Sequence, residues 1–169
     1  MADYKVLVVM GSDSDFPVME SCFKILQKFD IPFEARICSA HRSPYQAAQL
    51  ASTAKASGFG VIIAAAGLAA HLPGVLAAYT ILPVIGVPCK GGALNGVDAL
   101  YAIVQMPTGI PVATVAIDGA ANAAILAAQI LALQNESLAQ VLETYKKELE
   151  ASVEKRNECL AEKLVSIGE

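Results

Sequence analysis

Residues 61–82 read VIIAAAGLAAHLPGVLAAYTIL, and how this apolar stretch divides decides the fold. Its length matches a membrane span, for which roughly 20 apolar residues suffice. Gly67, His71, Pro73 and Gly74 fall near its middle and break it into strand, loop and short helix. Gly60 to Ala66 is then a buried strand, and Leu72 to Thr80 a short helix after a loop. The same alternation extends in both directions. Tyr4 to Met10, Pro32 to Cys38, Pro83 to Val87 and Val112 to Ile117 read as further strands. Phe16–Phe29, Pro44–Ser57, Val97–Gln105 and Ala120–Leu133 carry helical spacing. Short strands that are apolar throughout, separated by helices, predict a parallel sheet covered on both faces, with right-handed crossovers.

The expected fold class is therefore α/β: a three-layer αβα sandwich with a flavodoxin-like, doubly wound parallel sheet and a long C-terminal helix. Composition shifts sharply near Asn135: 13 of the chain's 28 charged residues lie in 136–169. Leu138, Val141, Leu142, Tyr145 and Leu149 recur there at helical spacing between Glu and Lys, which predicts one long amphipathic helix. Residues 1–135 are read as the catalytic domain and 136–169 as a helical arm, within a single domain overall. The arm packs either on its own domain or on a neighbouring subunit. The second is preferred, because Ala120–Leu133 is apolar all round and needs a cover.

Of the 169 residues, 55% are apolar and 17% charged, against about 25% charged in a typical domain. A 17.6 kDa monomer with so little charge would struggle to cover its surface, so burial between subunits is expected. The net charge of −4 and pI near 5.2 give no reason to expect nucleic acid or a membrane surface as partner. The N-terminus lacks an apolar segment followed by a cleavage site, so a cytoplasmic location is expected. Cys22, Cys38, Cys89 and Cys159 form no C-x-x-C and stand at no metal-ligand spacing from a histidine. They are read as reduced thiols, and no structural metal is expected.

In open parallel sheets, ligands bind beyond the carboxyl ends of the strands. Here those ends are Gly11-Ser12-Asp13-Ser14-Asp15, Ser39-Ala40-His41-Arg42, Ala66-Gly67-Leu68-Ala69-Ala70-His71 and Pro88-Cys89-Lys90-Gly91-Gly92, which together suit a concave site. The first is small and hydroxylic at a helix start, which suits an anion such as phosphate, or serves simply as a Ser/Asp cap. It lacks the frame of a P-loop. Asp13 and Asp15 would repel a phosphate, so one of them is expected to accept hydrogen bonds from sugar hydroxyls. Arg42 offers a planar fork for an oxyanion. His41 and His71 are the chain's only histidines, and both follow strands. Imidazole takes and gives a proton near neutral pH. Each alone could be a loop or helix-start residue. Together with an anion site on one edge, they point to acid–base chemistry on a phosphorylated small molecule without metal.

The motifs GSDSD at 11–15, SAHRSP at 39–44, AAHLPG at 69–74 and IVQMP at 103–107 resemble the class I N5-carboxyaminoimidazole ribonucleotide mutases of the phosphoribosylaminoimidazole carboxylase family. The resemblance runs from Val6 to about Leu133. It implies transfer of a carboxyl group from the exocyclic nitrogen of a ribonucleotide to ring carbon 4 in de novo purine synthesis, with no metal, ATP or biotin. It implies His41 as general acid/base, Ser12 and Arg42 at the phosphate, and Asp15 at the ribose. His71 and Gly67 would line the carboxylate pocket, with Ser14, Ser39, Ala40 and Leu72 completing the substrate contacts. The implied assembly is a homo-octamer. Three features depart from the family pattern: Leu68 replaces a second Gly, Gly91 stands where a polar residue is common, and the loop over 117–120 is about two residues shorter. Two other readings compete. One is the direct (class II) carboxylase, which commonly has Lys at the place of Arg42 and lacks His-Leu-Pro-Gly. The other is a non-catalytic module binding a nucleotide or flavin.

Overall fold

The computed structural model describes residues 4–167. Five parallel strands, β1 (Lys5–Met10), β2 (Phe33–Ile37), β3 (Phe59–Gly67), β4 (Val84–Cys89) and β5 (Ala113–Thr114), form one sheet in the order β2-β1-β3-β4-β5. Helices α1 (Phe16–Lys28), α2 (Pro44–Ala54), α3 (Leu72–Ala78), α4 (Val97–Val104) and α5 (Ala120–Ala132) connect them, and α6 (Glu136–Ile167) follows. The doubly wound α/β sandwich expected from the alternation is the fold observed.

Strand pleating explains why β3, β4 and all of β1 after Lys5 are apolar, whereas the edge strand β2 carries the charged Glu34 and Arg36. Successive side chains point to opposite faces, and both faces are covered. Val6, Val8, Met10, Val61, Ile63, Ala65, Ile85 and Val87 join the core that α1 and α5 cover. Leu7, Val9, Ile62, Ala64 and Val84 join the core under α2, α3 and α4. At Gly86 a Cβ would overlap Ile103 Cγ2 of α4, so this central strand position stays free of a side chain. Buried Ala120, Ala123, Ala124, Ala127 and Ala128 form the stripe through which α5 meets its neighbours.

The fifth strand is shorter than expected. Of Val112 to Ile117, only Ala113 and Thr114 pair with β4. The chain then turns, with Gly119 N–H donating to the Ala116 carbonyl and Asp118 N–H to the Pro88 carbonyl, to start α5. The first turns of helix α6 pack on the chain's own domain. There Leu138 is buried, and Leu142 and Tyr145 pack on the α1–α5 core. The Tyr145 ring meets Phe29 edge-on at 5.2 Å, and Lys28 Nζ lies 2.7 Å from Glu148 Oε2. These turns cover part of what a neighbour was expected to cover. From Lys146 onward every described side chain is exposed, including Leu149, Val153, Leu160 and Leu164.

Among the described residues, no helix is long and apolar enough to cross a membrane. Cys22, Cys38 and Cys89 are buried, whereas Cys159 is exposed on α6. Burial pushes the Cys22 thiol up to about 12.

Candidate active site

The carboxyl ends of β1 to β4 surround a cavity of about 610 Å³. Its floor is the loop after β1. Ser12 caps a short 3₁₀ turn, Asp13–Asp15, through a capping box: the Ser14 N–H donates to Ser12 Oγ at 3.4 Å, and the Ser12 N–H to Asp15 Oδ2 at 3.0 Å. The cap foreseen as the simple alternative to an anion site is therefore present. Asp15 is only 8% exposed. Burial raises its carboxyl above the usual range, opposed by donation from the Ser12 and Gly11 N–H groups and the Cys89 thiol. Asp13 lies outside on the surface. The Ser12 hydroxyl, donating at 2.9 Å, holds the Asp13 carboxyl below its usual range.

The loop after β2 forms one wall. It is stiffened internally: Ser43 Oγ donates to the Ser39 carbonyl at 2.9 Å and accepts the Ser39 N–H at 3.2 Å. The Arg42 N–H donates to Ser39 Oγ at 3.2 Å. The Arg42 side chain reaches back over β1, where its Nη2 donates to the Gly11 carbonyl at 3.4 Å. That single long bond leaves most of the guanidinium's donors available at the cavity.

The two histidines come together. His41 Nε2 lies 2.9 Å from His71 Nδ1, with the rings nearly perpendicular at 86°. A hydrogen bond between two neutral imidazoles needs a donor on one ring and an acceptor on the other, so each ring sets its neighbour's tautomer. The loop after β3 carries His71 to this position through a tight path, with Ala70 N–H donating to the Leu68 carbonyl and His71 N–H to the Ala69 carbonyl, each at 2.8 Å. Leu68 adopts a left-handed φ of 54° within it. A side chain with Cβ is strained in that region and glycine is not. The Leu68 side chain folds over Gly92, itself at φ 60°.

The fourth wall is β4 and its loop. Cys89 is buried at the cavity edge, and burial raises its thiol to about 12, with Asp15 and Asp118 adding to the shift. Lys90 follows it, held by its N–H donating to Asp118 Oδ1 at 2.8 Å.

Of the residues singled out in the sequence, Ser12, Ser14, Asp15, Ser39, Ala40, His41, Arg42, Gly67 and Leu72 line this cavity. His71 meets it through His41. Ala66, Leu68, Cys89 and Lys90, which stand in the strand-end loops where a ligand is expected, line it as well, although the sequence gives them no individual role. Val18, on α1 beyond those loops, lines it too and carries no signal in the sequence. A second pocket, of about 310 Å³ between Tyr4, Ile31, Leu131 and Leu138, lies at the opposite edge of the sheet and holds neither histidine.

Comparison with known proteins gives consistent results. The family described as AIR carboxylase matches residues 5–152. The chain is 53% identical over 155 residues to the N5-carboxyaminoimidazole ribonucleotide mutase of Pyrococcus horikoshii, covering 92% of this chain and 88% of that protein. It is 49% identical over 164 residues to the mutase of the same name from Thermotoga maritima, covering 97% and 94%. The crystal structure of Treponema denticola PurE superposes with a TM-score of 0.81 at 28% identity, over 89% of this chain and 94% of that one.

Proposed function

The chain belongs to the AIR carboxylase family, and from that premise we propose that this site converts N5-carboxyaminoimidazole ribonucleotide to 4-carboxy-5-aminoimidazole ribonucleotide in purine biosynthesis. The observation that carries the reading is the His41–His71 contact at 2.9 Å on the wall of a cavity that also presents Ser12, Asp15 and Arg42. The enzyme class is an isomerase, an intramolecular carboxyl-transferring mutase.

In this reading the bond between the exocyclic nitrogen and its carboxyl carbon breaks, and carbon dioxide departs. The electron pair stays on nitrogen, which takes a proton from His41. Carbon 4 of the enamine then attacks carbon dioxide, and the proton it sheds returns to His41. The reaction is redox-neutral and consumes nothing. An enamine carbon is already nucleophilic, so the protein must orient it, hold the carbon dioxide and move one proton. His71 fixes the orientation and tautomer of His41. Ser12 and Arg42 hold the phosphate, and the shielded Asp15 carboxylate accepts from the ribose. Gly67 and its small neighbours Ala66 and Ala69 give carbon dioxide a pocket from which water is excluded. Metal independence and a cytoplasmic location belong to the same proposal.

The test is turnover of N5-carboxyaminoimidazole ribonucleotide in buffer freed of bicarbonate and containing a chelator. Product should form at the same rate with or without chelator. A strict requirement for added bicarbonate would favour the direct carboxylase, and loss of turnover restored by a divalent cation would remove the metal-free mechanism.

We also propose that the protein is a homo-octamer in which the outer part of α6 packs on neighbouring subunits. Support comes from the exposed apolar side chains of that helix, together with Tyr79, Ile81, Tyr101 and Val104 on the α3–α4 side. Light scattering on the full chain should give eight times the chain mass. A monodisperse monomer would defeat the proposal.

A further inference from the structure

Lys90 is the one cation of the cavity wall that the reaction as described leaves without a role. It lines the cavity with Arg42, Ser12 and Gly67. Among the described residues, no carboxylate forms an ion pair with its ammonium group. Its backbone is pinned by the Asp118 carboxylate, which fixes the root of the side chain at the cavity edge.

The sheet order places this cation. Arg42 leans over β1, while Lys90 follows β4, and β3 lies between those two strands. Strands in a sheet are about 4.8 Å apart, so the end of β1, which the Arg42 side chain reaches from the loop after β2, stands on the order of 10 Å from the end of β4. In register, Gly67 pairs with Cys89, so Lys90 begins beside the loop that carries His71. In the binding mode proposed above, with the phosphate at Ser12 and Arg42 and carbon dioxide held at Gly67, the ribonucleotide directs its base toward that loop. The group it would bring there is the migrating carboxylate. The substrate therefore carries two anionic groups and the cavity two cations, one at each end.

Resting on the proposed function above, we propose that Lys90 is the carboxylate-binding residue of this site, a second anion contact separate from the phosphate contact of Arg42. An ammonium at that position attracts the carboxylate of substrate and product alike, and attracts neutral carbon dioxide far less. Its interaction is strongest at both ends of the reaction and weakest in the middle. Such binding lowers KM and does not raise kcat.

The test compares two nucleotides by equilibrium titration. One is 4-carboxy-5-aminoimidazole ribonucleotide; the other is 5-aminoimidazole ribonucleotide, identical except for the carboxyl. Lys90→Gln should weaken the carboxylated ligand by about 10-fold, the size of a lost charged hydrogen bond. It should change the other ligand less than two-fold. Lys90→Arg should restore most of the difference, and in turnover the Gln variant should show its loss in KM. Equal weakening of both ligands would place Lys90 at the phosphate and overturn the assignment. So would unchanged binding of both. If the wild-type protein bound neither nucleotide, the parent reading would fail, and the role of Lys90 with it.

Discussion

Replacing His41 by Asn should lower turnover by about 10²–10⁴-fold, the usual contribution of a positioned general acid or base. Nucleotide binding should stay within a few-fold of wild type. The substitution is chosen for what it keeps. An Asn side chain is polar and fits within the space of the imidazole, but its amide ends near the Nδ1 position and gives up the contact of His41 Nε2 with His71 Nδ1. It has no proton to exchange in the working pH range. His41 is exposed on a loop, so the fold core is untouched by the change. Turnover measured beside ligand titration separates the two effects. Activity within a few-fold of wild type would take the proton shuttle away from His41.

Arg42→Lys should weaken nucleotide binding by about 10- to 100-fold, as expected when a charge-assisted, fork-shaped contact is reduced to a point charge. The positive charge remains, so long-range attraction is nearly unchanged and the loss reports geometry. The observed guanidinium spends one Nη2 on the Gly11 carbonyl at 3.4 Å, and the rest of the fork faces the cavity with Ser12. A ligand without phosphate should distinguish the two proteins hardly at all. If the nucleoside discriminated Arg from Lys as strongly as the nucleotide, Arg42 would have to be reassigned to another part of the ligand.

How far the chain could be read in advance follows from what kind of information each feature needs. The strands declare themselves locally, because a strand buried on both faces must be apolar at every residue; Val6–Met10 and Val61–Ala66 are such runs. Fold class and the edge that holds the site follow from that alternation. The fifth strand is shorter than Val112–Ile117 suggests because strand-like residues do not fix pairing: the register with β4 covers only Ala113 and Thr114, and the chain then leaves β4 through single bonds from the Val115 and Asp118 N–H groups. In the site, residue types and strand ends pointed to His41, Arg42, Ser12 and Asp15. The bond between the two imidazoles, 30 positions apart, depends on the paths of two loops and leaves no local trace. The left-handed turn at Leu68 is equally invisible, since no propensity argument assigns a leucine to it. Lys90 belongs to a strand-end loop and so to the expected site, but a lysine in a loop is ordinarily a solvated charge, and only the cavity around it suggests a role.

The unequal burial of the thiols has a practical consequence. Alkylating reagents attack thiolates, so a buried thiol held near 12 reacts slowly, as at Cys22 and Cys89. Cys38 is buried as well. Cys159, on the outer part of α6, is the exposed exception. The native chain thus offers a single preferred attachment point for a fluorophore or spin label without any engineered mutation. In the proposed octamer that point lies on the helix that would pack on neighbouring subunits. Emission or mobility of a probe at Cys159 would then follow subunit association in real time.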